Sequence, residues 1–349
     1  MRVKIWYPCG MLVDYAAPVT ASPSEAETAA VSAEQVGYDG FNAAEARHDV
    51  FTTLTLVARA TTNISLQSAI AVAFARNPMN VAVLANDLQL ISEGRFRLGL
   101  GSQIKPHIER RFAMPWSSPA ARMEEFVAAL RAIWHSWASG ERLAFRGTFY
   151  KHTLMTPFFD PGPNPFGNPA VQLAAVGERM VATAGRVADG LLVHPLTTAT
   201  YLEERMIPAV RAARGGTLDG FRLEMSPMVV LGTDEAERAK AERAVRGQIA
   251  FYASTPAYRP VLELHGWAEL GDRLNVLSRR GSWDEMAAEI PDDVLDAFAV
   301  AGDPASVAAG LRDRFGSAID RISLYTPYEA DRYQLAAVRS AIRTSALSG

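Results

Sequence analysis

The sequence predicts a (β/α)8 barrel. Short apolar runs alternate with longer amphipathic stretches from end to end, the pattern of parallel strands joined by right-handed crossover helices. Eight such repeats fit along the chain, and eight close naturally into a barrel. The competing architecture, a doubly wound open sheet, needs a dinucleotide fingerprint on its first turn, and Pro8-Cys9-Gly10-Met11 is not one. At 349 residues the chain is long for one domain, but α/β (TIM) barrels routinely reach this size as a unit. Residues 1–349 are expected to form one domain, with insertions after strands four and seven.

Strand one is expected at residues 3–7. Ser22-Pro23 then opens a helix that runs to Gly37, with Glu25 and Glu27 in the first turn, where the helix dipole favours them. Residues 39–44 read as strand two and 51–61 as its helix. Strand three is expected over 64–72. Asn77-Pro78 starts the next helix: a side-chain acceptor precedes a residue with no N–H to leave unpaired. Val81, Leu84, Leu88 and Ile91 recur at helical spacing, and Gly94 suits the left-handed stop. Strand four covers 95–101 and leaves through Gly99, Gly101 and Ser102, a small-residue exit where a ligand can approach the backbone. A long helix follows over 119–139. Strand five is expected over 171–176 with a helix over 178–187, strand six over 190–194 with a helix over 198–214, and strand seven over 222–231. Strand eight covers 319–325 and a terminal helix 330–345.

Two excursions interrupt the repeat, about 140–169 and about 253–302, and Asp303-Pro304 opens one more helix after the second. Long connections in compact domains are usually binding loops or lids. Phe158, Phe159 and Phe166 suit an apolar lid or, equally, a surface hairpin packed on the rim.

Composition narrows the function classes. The formal net charge of −3 does not favour nucleic acid as a partner. One cysteine, Cys9, excludes an internal disulfide framework and a thiolate zinc site. No run has the apolar length of a membrane span. The opening MRVKIWYP reads as a strand rather than a signal peptide, so a cytoplasmic location is expected.

Barrel enzymes keep their active sites at the carboxyl ends of the strands. That rim holds Glu45, His48 and Asp49 after strand two, Phe74 and Arg76 after strand three, and Ser102 after strand four. Val176-Gly177-Glu178-Arg179-Met180 follows strand five, His194 strand six and Tyr325 strand eight. His48 is the acid–base candidate, since imidazole titrates near neutrality; a histidine bonded to a neighbouring loop is the equal alternative. The turn at Gly177 joins a strand to a helix N-terminus, whose free N–H groups suit a phosphate, although a plain βα turn reads the same way. His194 fits a structural histidine better than a pocket one. Strand one carries no metal ligands, no lysine lies inside a strand core for a Schiff base, and there is no Gly-x-Ser-x-Gly elbow. Trp6 and Tyr7 offer flat apolar walls. Such a pocket suits an organic cofactor that carries the redox chemistry itself.

The run Tyr38-Asp39-Gly40-Phe41, then His48, Ile64 to Ala71, Arg76-Asn77-Pro78 and Ser92-Glu93-Gly94-Arg95-Phe96-Arg97-Leu98-Gly99-Leu100-Gly101 resembles the bacterial luciferase-like superfamily. In particular it resembles the branch that uses the deazaflavin coenzyme F420. The string from Gly101 to Phe112 is similar to one actinobacterial subgroup of that branch. The resemblance covers roughly residues 1–330, and its strand-four signature is its most specific part. It implies a (β/α)8 barrel, usually a homodimer, with the cofactor ring deep at the strand carboxyl ends. It also implies a strand-three bulge with a non-prolyl cis peptide near Ala69-Ile70 backing the ring, and the cofactor phosphate on Val176, Gly177, Glu178 and Arg179. The strand-two histidine of the family maps to His48, near the reactive ring carbon. Many relatives read Asp-His there, whereas this chain reads Arg47-His48-Asp49 with Glu45 upstream, so the partner of His48 stays open and Glu45 joins it as a catalytic candidate. Trp6, Ser102 and Met180 complete the expected cofactor contacts.

The expectation is therefore an F420-dependent oxidoreductase that passes a hydride between the deazaflavin and a small organic substrate. The alternatives are an FMNH2- and dioxygen-dependent flavin monooxygenase of the same superfamily and a non-catalytic flavin-binding barrel. No metal, nucleic acid or membrane is expected to take part.

Overall fold

The computed structural model describes residues 10–345. The strand expected at 3–7, and with it Trp6, lies outside them. The first strand among the described residues is β1 (Leu12–Ala16), followed by α1 (Pro23–Val36). The chain divides into two compact units, the larger holding Tyr15–His194 and Leu202–Arg222.

The larger unit is a run of parallel strands, each followed by a helix. They are β2 (Gly40–Ala43) with α2 (Val50–Ala60), β3 (Ser65–Ser68) with α3 (Pro78–Ile91), and β4 (Phe96–Gly101) with α4 (Pro119–Ser139). Next come β5 (Ala170–Ala175) with α5 (Glu178–Val187), and β6 (Gly190–Val193) with α6 (Ile207–Ala213). The register sets Asn42 opposite Gln67, Gln67 opposite Arg97, and Gly99 opposite Gln172.

Local chemistry explains the helix ends. Ser22 and Glu25 form a reciprocal capping box at the start of α1, and Gly37 closes the helix at φ 90°. Asn77 caps α3 by accepting the Asn80 N–H at 3.1 Å. The end of α2 is held by Arg95, whose guanidinium donates to the carbonyls of Ala58, Thr61 and Ile64, each at 2.9 Å. The helix expected over 198–214 is broken instead: Leu202–Met206 forms a π turn before α6. Pro208 explains it, since it lacks the N–H that would continue the ladder.

Strand three is not the continuous run expected over 64–72. It stops at Ser68, a cis peptide joins Ala69 to Ile70, and Ala71–Val72 resumes against the end of β4. The strand-four glycines belong to this break. A Cβ on Gly99 would lie 2.0 Å from the Ser68 carbonyl oxygen, and one on Gly101 would lie 2.8 Å from Ile70 Cδ1. The space read from sequence as room for a ligand is therefore filled by the chain's own strand three.

The smaller unit is centred on β8. In it β7 (Arg222–Met225) and β1 flank β8 (Arg321–Ser323), with Glu224 opposite Arg321 and Asp14 opposite Ser323. A buried ion pair joins Arg321 to Asp14. Strand seven was expected to run on to residue 231. It ends at Met225, because Pro227 has no N–H for a ladder; Met228–Val230 pairs with Ala299–Ala301 in a separate two-stranded sheet. Residues between these two segments are largely helical, from α7 (Glu235–Ala253) to Asp292–Phe298. The helices α8 (Pro304–Phe315) and α9 (Arg332–Ser345) flank β8 in sequence. The fold class is the (β/α)8 barrel. Among the described residues no helix is long and apolar enough to cross a membrane.

The excursion after strand four is a short hairpin, Phe145–Arg146 against Lys151–His152. The Glu125 carboxylate on α4 accepts the N–H groups of Thr148, Phe149 and Tyr150 at 2.6–2.8 Å and fixes its turn. Beyond it Phe158 and Phe159 stand edge to face, 88% and 71% exposed.

Gly99→Ala forces a methyl group into backbone and is expected to cost about 3 kcal/mol in a urea unfolding curve. Gly101→Ala presses only on the movable tip of Ile70 and is expected to cost about 1 kcal/mol. Equal stabilities for the two variants would contradict this packing.

Candidate active site

In the larger unit the carboxyl ends of β2 to β5 bring two groups of side chains to the rim. The first begins at Glu45, just past β2. Its backbone N–H donates to the Ile70 carbonyl at 3.0 Å. Its Oε2 accepts the Val72 N–H at 2.7 Å and Arg76 Nη1 at 2.7 Å. Its other oxygen makes no hydrogen bond among the described residues. Arg76 Nη2 donates to Asp49 Oδ2 at 2.6 Å, while Asp49 Oδ1 caps α2 by accepting the Thr52 N–H at 2.8 Å. Burial would raise the Asp49 carboxyl; the Thr52 amide and hydroxyl and Arg76 more than offset it and hold it below the usual carboxylate range.

Ala69 and Ile70 sit against this group. The Ala69 N–H donates to the Ala43 carbonyl at 2.7 Å, and the Ile70 side chain lies over Gly101. Ser102 follows, its hydroxyl donating to the Gln103 carbonyl at 3.0 Å.

Among the described residues His48 makes no hydrogen bond to Glu45, Asp49 or Arg76. Its ring lines a recess of about 20 Å³ with Ala17, Pro18, Val19, Ala21 and Ala44, room for a single water. The carboxylate in its field is Glu25, which is held low chiefly by Ser22 and to a lesser degree by His48. The neighbouring Asp49 is engaged by Thr52 and Arg76.

The second group is a cleft of about 700 Å³ between the first turns of α4 and α5, lined by Ser118–Ala121 and by Gly177, Glu178, Arg179 and Met180. Neither helix has a side-chain cap. The N–H groups of Ala120, Ala121, Glu178 and Arg179 therefore point out of two helix ends with no internal acceptor. Val176 leads into this turn from β5. Free N–H groups at a helix start are the kind of donor that suits a phosphate-sized anion. Sequence reasoning found the α5 half and missed the α4 half, although Ser118-Pro119 is the same start signal as Asn77-Pro78. It also missed the role of Arg76, whose partners lie about thirty residues away in sequence.

His194 ends β6 and is half-buried. Desolvation pushes its pKa down to about 3, so the ring is neutral. In the smaller unit the hydroxyls of Tyr252 and Tyr325 lie 3.2 Å apart, past the end of β8. Burial raises both, and Tyr258 beside them to about 12, so all three are phenols rather than phenolates.

A family profile described as luciferase-like monooxygenase matches residues 1–321. The chain belongs to the luciferase-like monooxygenase family. This luciferase-like protein is an oxidoreductase. An uncharacterized protein of Mycobacterium tuberculosis is 51% identical to it over 302 residues, 86% of this chain and 89% of its own. A putative coenzyme F420-dependent oxidoreductase of the same organism is 27% identical, over 78% of this chain and 82% of its own. Among solved structures, the coenzyme F420-dependent tetrahydromethanopterin reductase of Methanopyrus kandleri superposes with a TM-score of 0.79 at 19% identity, covering 97% and 99% of the two chains. The FMN complex of a type II Baeyer-Villiger monooxygenase of Pseudomonas putida superposes with a TM-score of 0.66 at 16% identity, covering 95% and 98%.

His194 generates a pH prediction for the luciferase-like protein. The unfolded chain binds a proton on this ring below about pH 6.5, whereas the folded chain does not until about pH 3. Stability from this group is complete above 6.5 and falls as pH drops through that window, by up to about 1.4 kcal/mol per unit. Between pH 7 and pH 5, urea unfolding of His194→Gln is expected to lose less stability than the wild type; equal losses would remove His194 from the acid response.

Proposed function

We propose that this chain is a coenzyme F420-dependent oxidoreductase that moves a hydride between the deazaflavin and an organic substrate. A flavin or deazaflavin cofactor suits this family. The observation that carries the reading is the cleft at the carboxyl end of β5, lined by the first turns of two helices that have no side-chain cap. The choice of deazaflavin draws support from the sequence relative described as F420-dependent.

When bound, the cofactor supplies the ring that gives or takes the hydride. The chain's residues do the rest. The amides of Ala120, Ala121, Glu178 and Arg179 hold the phosphate, with Val176, Gly177 and Met180 shaping the turn. Ala69 and Ile70, with Ser102 beside them, form the wall behind the ring. Phe158 and Phe159, in the same unit, add apolar surface for the substrate. Glu45 is assigned the accompanying proton, because Oε2 is fixed by Val72 and Arg76 while the other oxygen is left to hold or release it. His48 is the second candidate for that proton.

A flavin monooxygenase using reduced FMN and dioxygen is the second reading, favoured by the FMN-bound structural relative. Titration of the protein with F420 and with FMN, followed by ring absorbance, separates the two: tighter binding of FMN overturns the deazaflavin assignment. Glu45→Gln is expected to keep cofactor binding and to lose turnover by on the order of a hundredfold. A loss of that size in His48→Ala, with Glu45→Gln active, transfers the proton to His48.

A further inference from the structure

Arg76 belongs to the Glu45 group at the rim but has no role there so far beyond fixing one oxygen of Glu45. Its side chain is 15% exposed, and one face of the guanidinium lies over the Phe51 ring at 5.4 Å. The planar fork is divided among three acceptors. Nη1 donates to Glu45 Oε2 at 2.7 Å and to the Val72 carbonyl at 3.3 Å, and Nη2 donates to Asp49 Oδ2 at 2.6 Å. One side chain thus joins the end of β2, the first turn of α2 and the segment that resumes strand three. Glu45 carries the effect inward. The oxygen that accepts from Arg76 also accepts the Val72 N–H, and the Glu45 N–H donates to the Ile70 carbonyl. Ile70 is therefore tied on one side to Glu45 and rests on Gly101 on the other.

We propose that Arg76 is a positioning residue for the redox ring: by holding Glu45 on Val72 it sets where the Ile70 side chain stands, and so the wall on which the ring packs. The proposal rests on the flavin or deazaflavin reading of the site. A fork is needed rather than a charge alone. Without it the carboxylates of Glu45 and Asp49 repel, and Glu45 swings off Val72; lysine, with one compact ammonium, satisfies only part of the set.

The test uses full-length Arg76→Gln and Arg76→Lys beside the wild type. Each is titrated with F420 and with FMN by absorbance and fluorescence, and amide hydrogen exchange over residues 70–76 is measured without cofactor. The expected result is at least tenfold weaker binding by Arg76→Gln, a ring absorbance band displaced from the wild-type position, and at least tenfold faster exchange at the Val72 amide, with Arg76→Lys between. Native affinity and an unmoved band in Arg76→Gln, whatever happens to Tm, overturn the positioning role and leave Arg76 structural. If Arg76→Gln does not fold, Arg76→Lys decides: weakened binding with a displaced band supports the role, and native binding overturns it. A wild-type protein that binds neither ring overturns the functional reading itself, and the wild-type titration alone identifies that case.

Discussion

The contact between Ser68 and Gly99 governs the rim of the larger unit. Strand three comes so close to strand four there that only hydrogen fits on the Gly99 Cα. The Ser68 hydroxyl closes the approach by accepting the Gly99 N–H at 3.0 Å and donating to the Gly99 carbonyl at 2.9 Å. With Ser68 fixed, the chain turns at Ala69-Ile70, and Ile70 settles over Gly101. The ties from Ala43 and Glu45 then hold that turn from the β2 side. Close packing makes this cooperative: a Cβ added at Gly99 has to displace backbone, and one at Gly101 has to displace the Ile70 side chain.

The same unit separates two kinds of helix start. The first turns of α1, α2 and α3 are closed by their own neighbours, Ser22, Asp49 and Asn77. Those of α4 and α5 are not, and both open on one cleft. Orphan amides at a helix end need an acceptor. No side chain supplies one at α4 or α5, as at several other helices of the chain, and the first turns of these two line a single cleft. Burial adds electrostatic support at the strand ends. A neutral His194 and protonated Tyr252, Tyr258 and Tyr325 hold their hydrogens without adding charge, which keeps these positions polar but uncharged at neutral pH.

Much of this was legible before any coordinates. Most of the strand and helix repeats, the caps at Ser22 and Asn77 and the βα turn at Gly177 are local signals: each needs only neighbours within a few residues, and the two caps and the turn form where those residues predict. The departures have local causes recognisable afterwards. Pro208 loosens one helix and Pro227 ends a strand, because an absent N–H cannot be replaced by a favourable apolar pattern. The strand-three turn is different. Its position came from family resemblance, and nothing in the propensities of Ala69 and Ile70 asks for it.

What the sequence determined alone is the barrel class, the order of its elements and the side chains that reach its rim, since periodicity and capping are encoded over a few residues at a time. Tertiary structure decided how those rim residues are used. It put His48 in a recess beside Ala17 and Glu45 under Arg76, and it filled the glycine exit of strand four with Ile70. The reason is physical: a carboxylate with an arginine across the sheet, or a glycine with a side chain from the next strand, is paired through space, and spacing along the chain holds no record of which partner arrives.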